Sequence, residues 1–197
     1  MRTKKIDVDF LLEAYRHGYF PMADSASGEI SWYSPDPRAV IPFENFHASR
    51  SLRQVIVRGE FDVRFDTCFI DVIQACADRK ETWISKEIIR VYCKLHAQNF
   101  AHSVESWKRG KLVGGLYGVA IGGAFFGESM FSRVPNASSV ALVRLVHHLR
   151  EQGFQLLDSQ IINPHMTRFG SLEIPRVEYL TRLRRALGVV TSFNHSL

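Results

Sequence analysis

The chain has 197 residues, 46% of them apolar, with a formal charge of +5, enough for a core and compatible with a polyanionic partner. No run approaches the roughly 18–20 apolar residues of a membrane span, and "MRTKKIDVDF" is basic without the apolar centre of a secretory signal. Cys68, Cys76 and Cys93 lack CxxC spacing and the histidines lack HExxH, which argues against disulfides and metal sites and fits reduced thiols in a cytoplasmic protein.

The spacing predicts a helix over residues 7–17, capped by Asp7 and ended by Gly18. "GEISWYSPDPRAVIPF" reads as short edge strands around a proline-fixed loop, because prolines exclude a central strand. A short helix over 49–57 stops at Gly59. Regular elements follow. "EFDVRFD" (60–66) alternates as a strand does. Asp66 is placed to cap a helix over 67–78, where Phe69, Val72, Ile73 and Cys76 repeat at helical spacing. "TWI" connects to a helix over 86–98 capped by Ser85. A run of strands turns at "KRGK" and "IGG". A helix over about 138–151 has Asn136 or Ser138 as cap and Gly153 as stop. A strand over 154–160, a helical turn at "NPHMTRFG" and a helix over 176–187 complete the chain.

From residue 60 the order is β-α-α-β-β-β-α-β-α. An antiparallel meander, a helix and then a strand with a polar end is an α/β (α+β) arrangement, laid out as in N-acyltransferases of the acetyltransferase (GNAT) type. The expected organisation is a small N-terminal lobe over 1–59 and a GNAT-like domain over 60–197. Fold alone does not give function.

Two stretches invite chemistry. In "GGAFFGESMFSR" (122–133), Glu128 lies between Phe125–Phe126 and Met130–Phe131, and a carboxylate there is costly to bury without a partner. In "LLDSQIINPH" (156–165), Asp158 and Gln160 share one strand face and Asn163 follows the strand end. A turn cap and a loop lining would give the same pattern. Sites in open α/β sheets gather at the carboxyl ends of strands. There is no GxSxG elbow and no GxxxxGK[ST] loop. An acyl-CoA enzyme would carry a basic, glycine-rich phosphate loop before its long helix, where this chain has "SRVPNAS". A non-catalytic RNA-binding module is a further alternative.

"GYFPM", "WYSPDPR", "TWI", "AHSVESW", "LVGGLYGVAIGGAFFGESMFS", "NAS" and "LLDSQ", in this order, resemble the leucyl/phenylalanyl-tRNA–protein transferase family over residues 15 to about 183. The resemblance implies a GNAT-like domain behind a smaller lobe. It implies transfer of leucine or phenylalanine, sometimes methionine, from aminoacyl-tRNA to proteins with N-terminal Arg or Lys, marking them for N-end rule degradation. The donor is an activated ester, so it implies no ATP, CoA or metal cofactor.

The resemblance also implies roles. Phe125, Phe126, Glu128 and Met130 belong to the aminoacyl pocket, with Phe126, Glu128 and Met130 on one strand face and a bulge at Gly127 allowed. Glu128 orients the pocket or meets the donor's α-ammonium. Leu142, Leu145 and Leu149 floor the pocket; some relatives carry aromatics at the last two positions, so aliphatics leave it roomier. Trp83 and Tyr92 lie near the 3′ adenosine of tRNA, although a core aromatic would fit Tyr92 equally well. Trp32 and Tyr33 line the cleft between lobes. Asp158, Gln160 and Asn163 are the catalytic set: Asp158 binds the incoming ammonium or polarises its partner, Gln160 accepts a hydrogen from the amine, and Asn163 positions the acceptor. No Ser or Cys is among the residues that the resemblance makes catalytic, so no covalent intermediate is expected. Glu128, Asp158 and Glu105 are candidates for the acceptor's cationic side chain. "KRGK" (108–111), Arg176, Arg182, Arg184 and Arg185 are candidates for the tRNA body. The family often has Lys after "NAS"; here Ser139 takes its place.

Overall fold

The computed structural model describes residues 5–194. Helix α1 (Val8–Arg16) starts at Asp7, whose carboxylate accepts from the amides of Asp9 and Phe10 at 3.0 and 3.3 Å. Strands β1 (Phe20–Ala23) and β2 (Ile30–Tyr33) pair antiparallel in a sheet of their own. Helix α2 (Arg50–Val57) is capped by Ser49 and followed by Gly59 in the left-handed region.

Seven strands form the main sheet. Its order is β4 (Asp62–Phe65), β5 (Ala101–Lys108), β6 (Lys111–Ile121), β7 (Ala124–Ser132), β8 (Leu156–Gln160), β3 (Arg38–Val40) and β9 (Leu172–Ile174). β5, β6 and β7 are the expected antiparallel meander; β8 adds parallel to β7 after the crossover helix α5 (Ala137–Glu151). This is the expected α/β fold.

Two details differ from the sequence reading. β3 is not at an edge: it lies between β8 and β9, because the prolines end at Pro37 and residues 38–40 keep every amide for the ladder. The segment before residue 60 therefore contributes a strand to the main sheet. β9 was not expected; three residues between Gly170 and Pro175 are too short for a visible alternation.

Helices cover both faces. α1, α3 (Phe69–Ala77), α4 (Lys86–Ala97) and α7 (Arg176–Leu187) bury one cluster that includes Leu11, Tyr15, Ile73, Ile88, Tyr92 and Tyr179. α2 and α5 bury another around Leu52, Phe125, Leu142, Leu145 and Leu149. Gly114 lets α5 sit close on β6, since any side chain there would collide with Ala137.

The cap of α3 is a correction. Asp66 does not cap it; its carboxylate accepts from the amide of Ser103 at 2.7 Å and pairs with His102. Glu105 on β5 takes the place instead, accepting from the Thr67 amide at 3.0 Å and the Cys68 amide at 3.3 Å. A carboxylate distant in sequence does the work of a local cap. α4 is capped by Ser85 as the spacing predicts. At α5 neither Asn136 nor Ser138 supplies a side-chain cap; the Ser132 hydroxyl accepts from the Ser138 amide at 3.3 Å. No helix among the described residues is long and apolar enough to cross a membrane.

Candidate active site

β7 and β8 pair through Ala124–Leu156, Phe125–Leu157 and Phe126–Asp158, then separate. β7 stays with β6 as far as Ser132, while β8 pairs with β3. A cavity of about 470 Å³ opens beside the last pair. Two backbone irregularities lie there. Between β6 and β7 the register steps from Tyr117–Ser129 to Gly118–Gly127, so Glu128 is the extra residue of a bulge. Gln160, at the end of β8, has φ +65°, a region that non-glycine residues rarely occupy.

The bulge resets the alternation of β7. Phe126 and Glu128 face α1 and α4, and the Phe126 ring packs against Tyr15 with centroids 4.8 Å apart. Met130 packs with the opposite cluster. The single face expected for Phe126, Glu128 and Met130 is thus divided, because one extra residue inverts every position beyond it.

Glu128 is half-buried and opens on the cavity. Its Oε1 accepts from the Tyr15 hydroxyl at 2.6 Å and from Gln160 Nε2 at 2.7 Å; its Oε2 accepts from the Tyr92 hydroxyl at 3.1 Å. The two tyrosine hydroxyls also touch each other, so two phenol protons are shared among three contacts. Burial pushes the Glu128 carboxyl up to about 7; the three hydrogen bonds oppose the rise and the negative Asp158 adds to it. Burial and the Glu128 charge together hold both phenols well above their ordinary value. This site therefore carries a carboxyl that titrates near neutrality beside phenols that stay protonated.

Asp158 is fully buried and fully engaged. Arg38 donates to it twice, Nε to Oδ1 at 3.0 Å and Nη2 to Oδ2 at 2.6 Å. Tyr179 donates to Oδ2 at 2.7 Å, and the Gln160 amide donates to Oδ1 at 2.8 Å. Arg38 also donates to the Gly18 carbonyl at 3.0 Å and lies over the rings of Phe20 and Tyr179. A carboxylate held this way is a fixed anchor. Its chain of contacts runs from Arg38 through Asp158 to the backbone of Gln160, and from the Gln160 side chain to Glu128.

The remaining expected residues divide. Glu128, Met130, Leu142, Leu145, Trp83, Asn163 and part of Asp158 line the cavity, with Ile41, Leu116, Leu157 and Met166. Phe125, Phe126 and Leu149 do not: all three are buried in the two cores. Tyr92 is fully buried, its ring edge-on to Tyr117 at 5.6 Å, so no face is open to a base. Trp83 is half-buried and borders both the cavity and an adjoining groove of about 740 Å³. Tyr33 borders that groove; Trp32 points to the other side of β2, edge-on to Phe10 at 5.1 Å. Asn163 is exposed, and its side chain accepts from the Met166 amide at 3.0 Å as the cap of helix α6 (Pro164–Thr167).

Glu105, offered for the acceptor's cation, is buried and saturated by Ser103, Thr67 and Cys68. Ser139 stands in the first turn of α5 and not in the cavity wall. The β5–β6 hairpin carrying Lys108 and Lys111 is at the Ser132 end of β7, the side on which the cavity opens. Arg184 and Arg185 are at the other end of the sheet, where the Ala186 carbonyl accepts from Gly123. Arg176 bonds to Asp36 and the Ser34 carbonyl, and Arg182 pairs with Glu178 at 2.6 Å.

Sequence reasoning did not find Tyr15, Arg38, Arg79 or Tyr179. Tyr15 and Tyr179 sit in apolar helical stripes and Arg38 ends a proline loop, so no local spacing marks them. The one available signal was that a buried Asp on an inner strand needs a cation. Among the described residues no cluster of three His, Cys, Asp or Glu could hold a metal.

Comparison with known proteins bears on this geometry. The family profile described as leucyl/phenylalanyl-tRNA protein transferase matches residues 40–184, and the profile of its N-terminal domain matches residues 4–36. The chain belongs to the leucyl/phenylalanyl-tRNA protein transferase family. A family protein of that name from Chlorobaculum parvum is 56% identical over 186 residues, spanning 92% of this chain and 96% of its own. Another, from Herpetosiphon aurantiacus, is 53% identical and spans 97% of this chain and 100% of its own. As a member of the family the chain is an aminoacyltransferase. Among solved structures, L-PGS from Bacillus licheniformis aligns with a TM-score of 0.42 at 14% identity, over 83% of this chain and 54% of its own.

Proposed function

We propose that the cavity binds leucine or phenylalanine, with methionine as an adaptable third, esterified to the 3′ end of tRNA. The acceptor is a protein with N-terminal Arg or Lys, and the product is marked for N-end rule degradation. The observation that carries this reading is Glu128: a half-buried carboxylate at the mouth of an apolar cavity, accepting three hydrogen bonds while still open to a ligand. The donor's α-ammonium is the group such a carboxylate fits. Leu142, Leu145, Met130 and Met166 suit its aliphatic or aromatic side chain, and methionines adapt to either shape.

The acceptor's neutral α-nitrogen attacks the ester carbonyl carbon. The new C–N bond forms, the ester C–O bond breaks, and the terminal ribose oxygen leaves with the proton released by the amine. Holding amine and ester together supplies much of the rate. Asp158, neutralised by Arg38, fixes the backbone of Gln160 and is not itself the base. Gln160, buried and not itself among the residues lining the cavity, gives its amide nitrogen to Glu128, and in this reading its oxygen accepts a hydrogen bond from the amine. Asn163 at the open end positions the acceptor. No cysteine serves as nucleophile: burial pushes Cys76 up to about 12 and Cys68 up to about 11. Since the donor is already activated, the chemistry calls for no ATP, CoA or metal.

The groove beyond Trp83 is lined by Asp24, Glu29 and Glu81, and gives a cationic N-terminal side chain an acidic approach to the cavity. Trp83, shared between the two, is placed for the 3′ adenosine. The test is transfer of radiolabelled leucine from Leu-tRNA to a peptide beginning with Arg, beside one beginning with Ala. Transfer to the first alone, lost in Glu128→Ala, supports the reading; no transfer to either by folded protein refutes it.

A further inference from the structure

We propose that Arg79 binds the phosphodiester immediately 5′ of the donor's terminal adenosine. The inference rests on the functional reading above and extends it to a second charged subsite.

Arg79 is the one Arg or Lys among the described residues that line the cavity. It lies on the loop between α3 and α4, four residues before Trp83. The same loop thus brings an aromatic ring and a guanidinium to one cavity. One guanidinium nitrogen is already committed: Nη2 donates to the Ser129 hydroxyl at 3.0 Å and to the Met130 carbonyl. Both acceptors are on β7 directly after the bulge residue Glu128. That clamp holds the side chain across the cavity wall, one to two residues from Glu128. Among the described residues Arg79 forms no ion pair with a carboxylate, so its charge is not neutralised within the wall. Nε and Nη1 remain; they lie on different edges of the guanidinium, so each is free to donate singly to a phosphate oxygen.

The wall holds further polar groups, two of them buried without a partner among the described residues: the Tyr117 hydroxyl and His165 Nε2. Tyr117 is fully buried, lines the same cavity, and its hydroxyl has no hydrogen-bond partner among the described residues. A buried hydroxyl in that state is rare and calls for a partner that a ligand oxygen would supply. An aminoacyl-nucleotide carries an ammonium at one end and a phosphodiester at the other, with a base between. The cavity wall presents a carboxylate, a guanidinium on an exposed residue, and an indole. Matching charge to charge assigns the ammonium to Glu128 and the phosphodiester to Arg79.

The test compares two small donors with the Arg-initial peptide as acceptor. One is leucyl-adenosine, which lacks a 5′ phosphate. The other is the same compound carrying a 5′ methyl phosphate diester. The measured quantity is the ratio of their kcat/KM values. The unaltered protein is expected to favour the diester donor by about tenfold or more, the worth of a hydrogen bond to a charged group. Arg79→Ala is expected to bring that ratio to about one, and Arg79→Lys to leave it between the two. A residue that merely clamps β7 would lower both donors together and leave the ratio intact, which overturns the proposal. So does an unaltered protein that shows no preference between the donors. Failure of the unaltered protein to use any leucyl donor, Leu-tRNA included, overturns the functional reading and this inference with it.

Discussion

Gln160 Nε2 lies 2.7 Å from Glu128 Oε1, and this bond joins β8 to β7 where the two strands have ceased to pair. It connects a strained residue at one strand end to the bulge residue of the other. The bond closes the route from the buried Arg38–Asp158 pair to the cavity, so the geometry of the open carboxylate depends on a salt bridge that never meets solvent.

Replacing Gln160 by Ala cuts that route. Folding should lose only about 1 kcal/mol, the worth of one such hydrogen bond. Leucyl transfer should fall by about a hundredfold in kcat/KM, because both the hydrogen-bond acceptor for the amine and the Glu128 partner are gone. Urea unfolding measured beside steady-state transfer separates the two effects; equal, small losses in both would remove Gln160 from the mechanism.

Arg38→Ala leaves Asp158 charged, buried and short of its cation. The expected loss is about 3–5 kcal/mol of stability, read from the unfolding midpoint. The double substitution Arg38→Met with Asp158→Asn removes both charges and should recover most of that loss, while leaving transfer impaired. Failure of the pair to recover stability would show that Arg38 acts through its bond to Gly18 or its stacking on Phe20 and Tyr179 instead.

Glu128 makes the fold sensitive to pH. Its carboxyl is raised from the ordinary 4.5 to about 7 in the folded protein, chiefly by burial. A folded carboxyl that holds its proton longer than the unfolded one contributes stability that is full below about 4.5 and lost as pH rises through about 7. The difference is on the order of 3 kcal/mol across that window. Unfolding free energies of the unaltered protein, set against Glu128→Gln from pH 4 to 8, should diverge in that direction; parallel curves would mean the carboxyl titrates normally.

Leu145 lines the cavity. Leu145→Phe places a ring where the wall is now aliphatic. Transfer of phenylalanine should fall relative to leucine by about tenfold, since pockets discriminate by one or two methylenes at about 1–3 kcal/mol. Competition between Leu-tRNA and Phe-tRNA for one acceptor peptide gives the ratio directly. An unchanged ratio would mean that the donor side chain lies elsewhere.

Much of the fold was legible because its signals are local. Asp7 and Ser85 cap the helices that the spacing predicts, and the glycines after "KR" and "VAI" turn the hairpins of the meander. Glu128 stood out because a carboxylate inside an apolar strand is expensive wherever it ends up, and Asp158 because it shares a face with Gln160 at the carboxyl end of a strand. What the chain alone determined was therefore the elements other than β9, their order, and one charge that had to be satisfied.

Only the tertiary structure decided what satisfies the two carboxylates. Arg38 is 120 residues from Asp158, and Tyr15 is 113 from Glu128; no period or motif encodes pairings that depend on which strands lie side by side. The cap of α3 passed from Asp66 to Glu105 for the same reason. The bulge at Glu128 shows this most sharply. Strand alternation placed Phe126, Glu128 and Met130 on one face, but a single extra residue, set by the pairing of β7 with β6, sends Met130 to the other. Alternation is a property of one strand, and a register shift exists only between two.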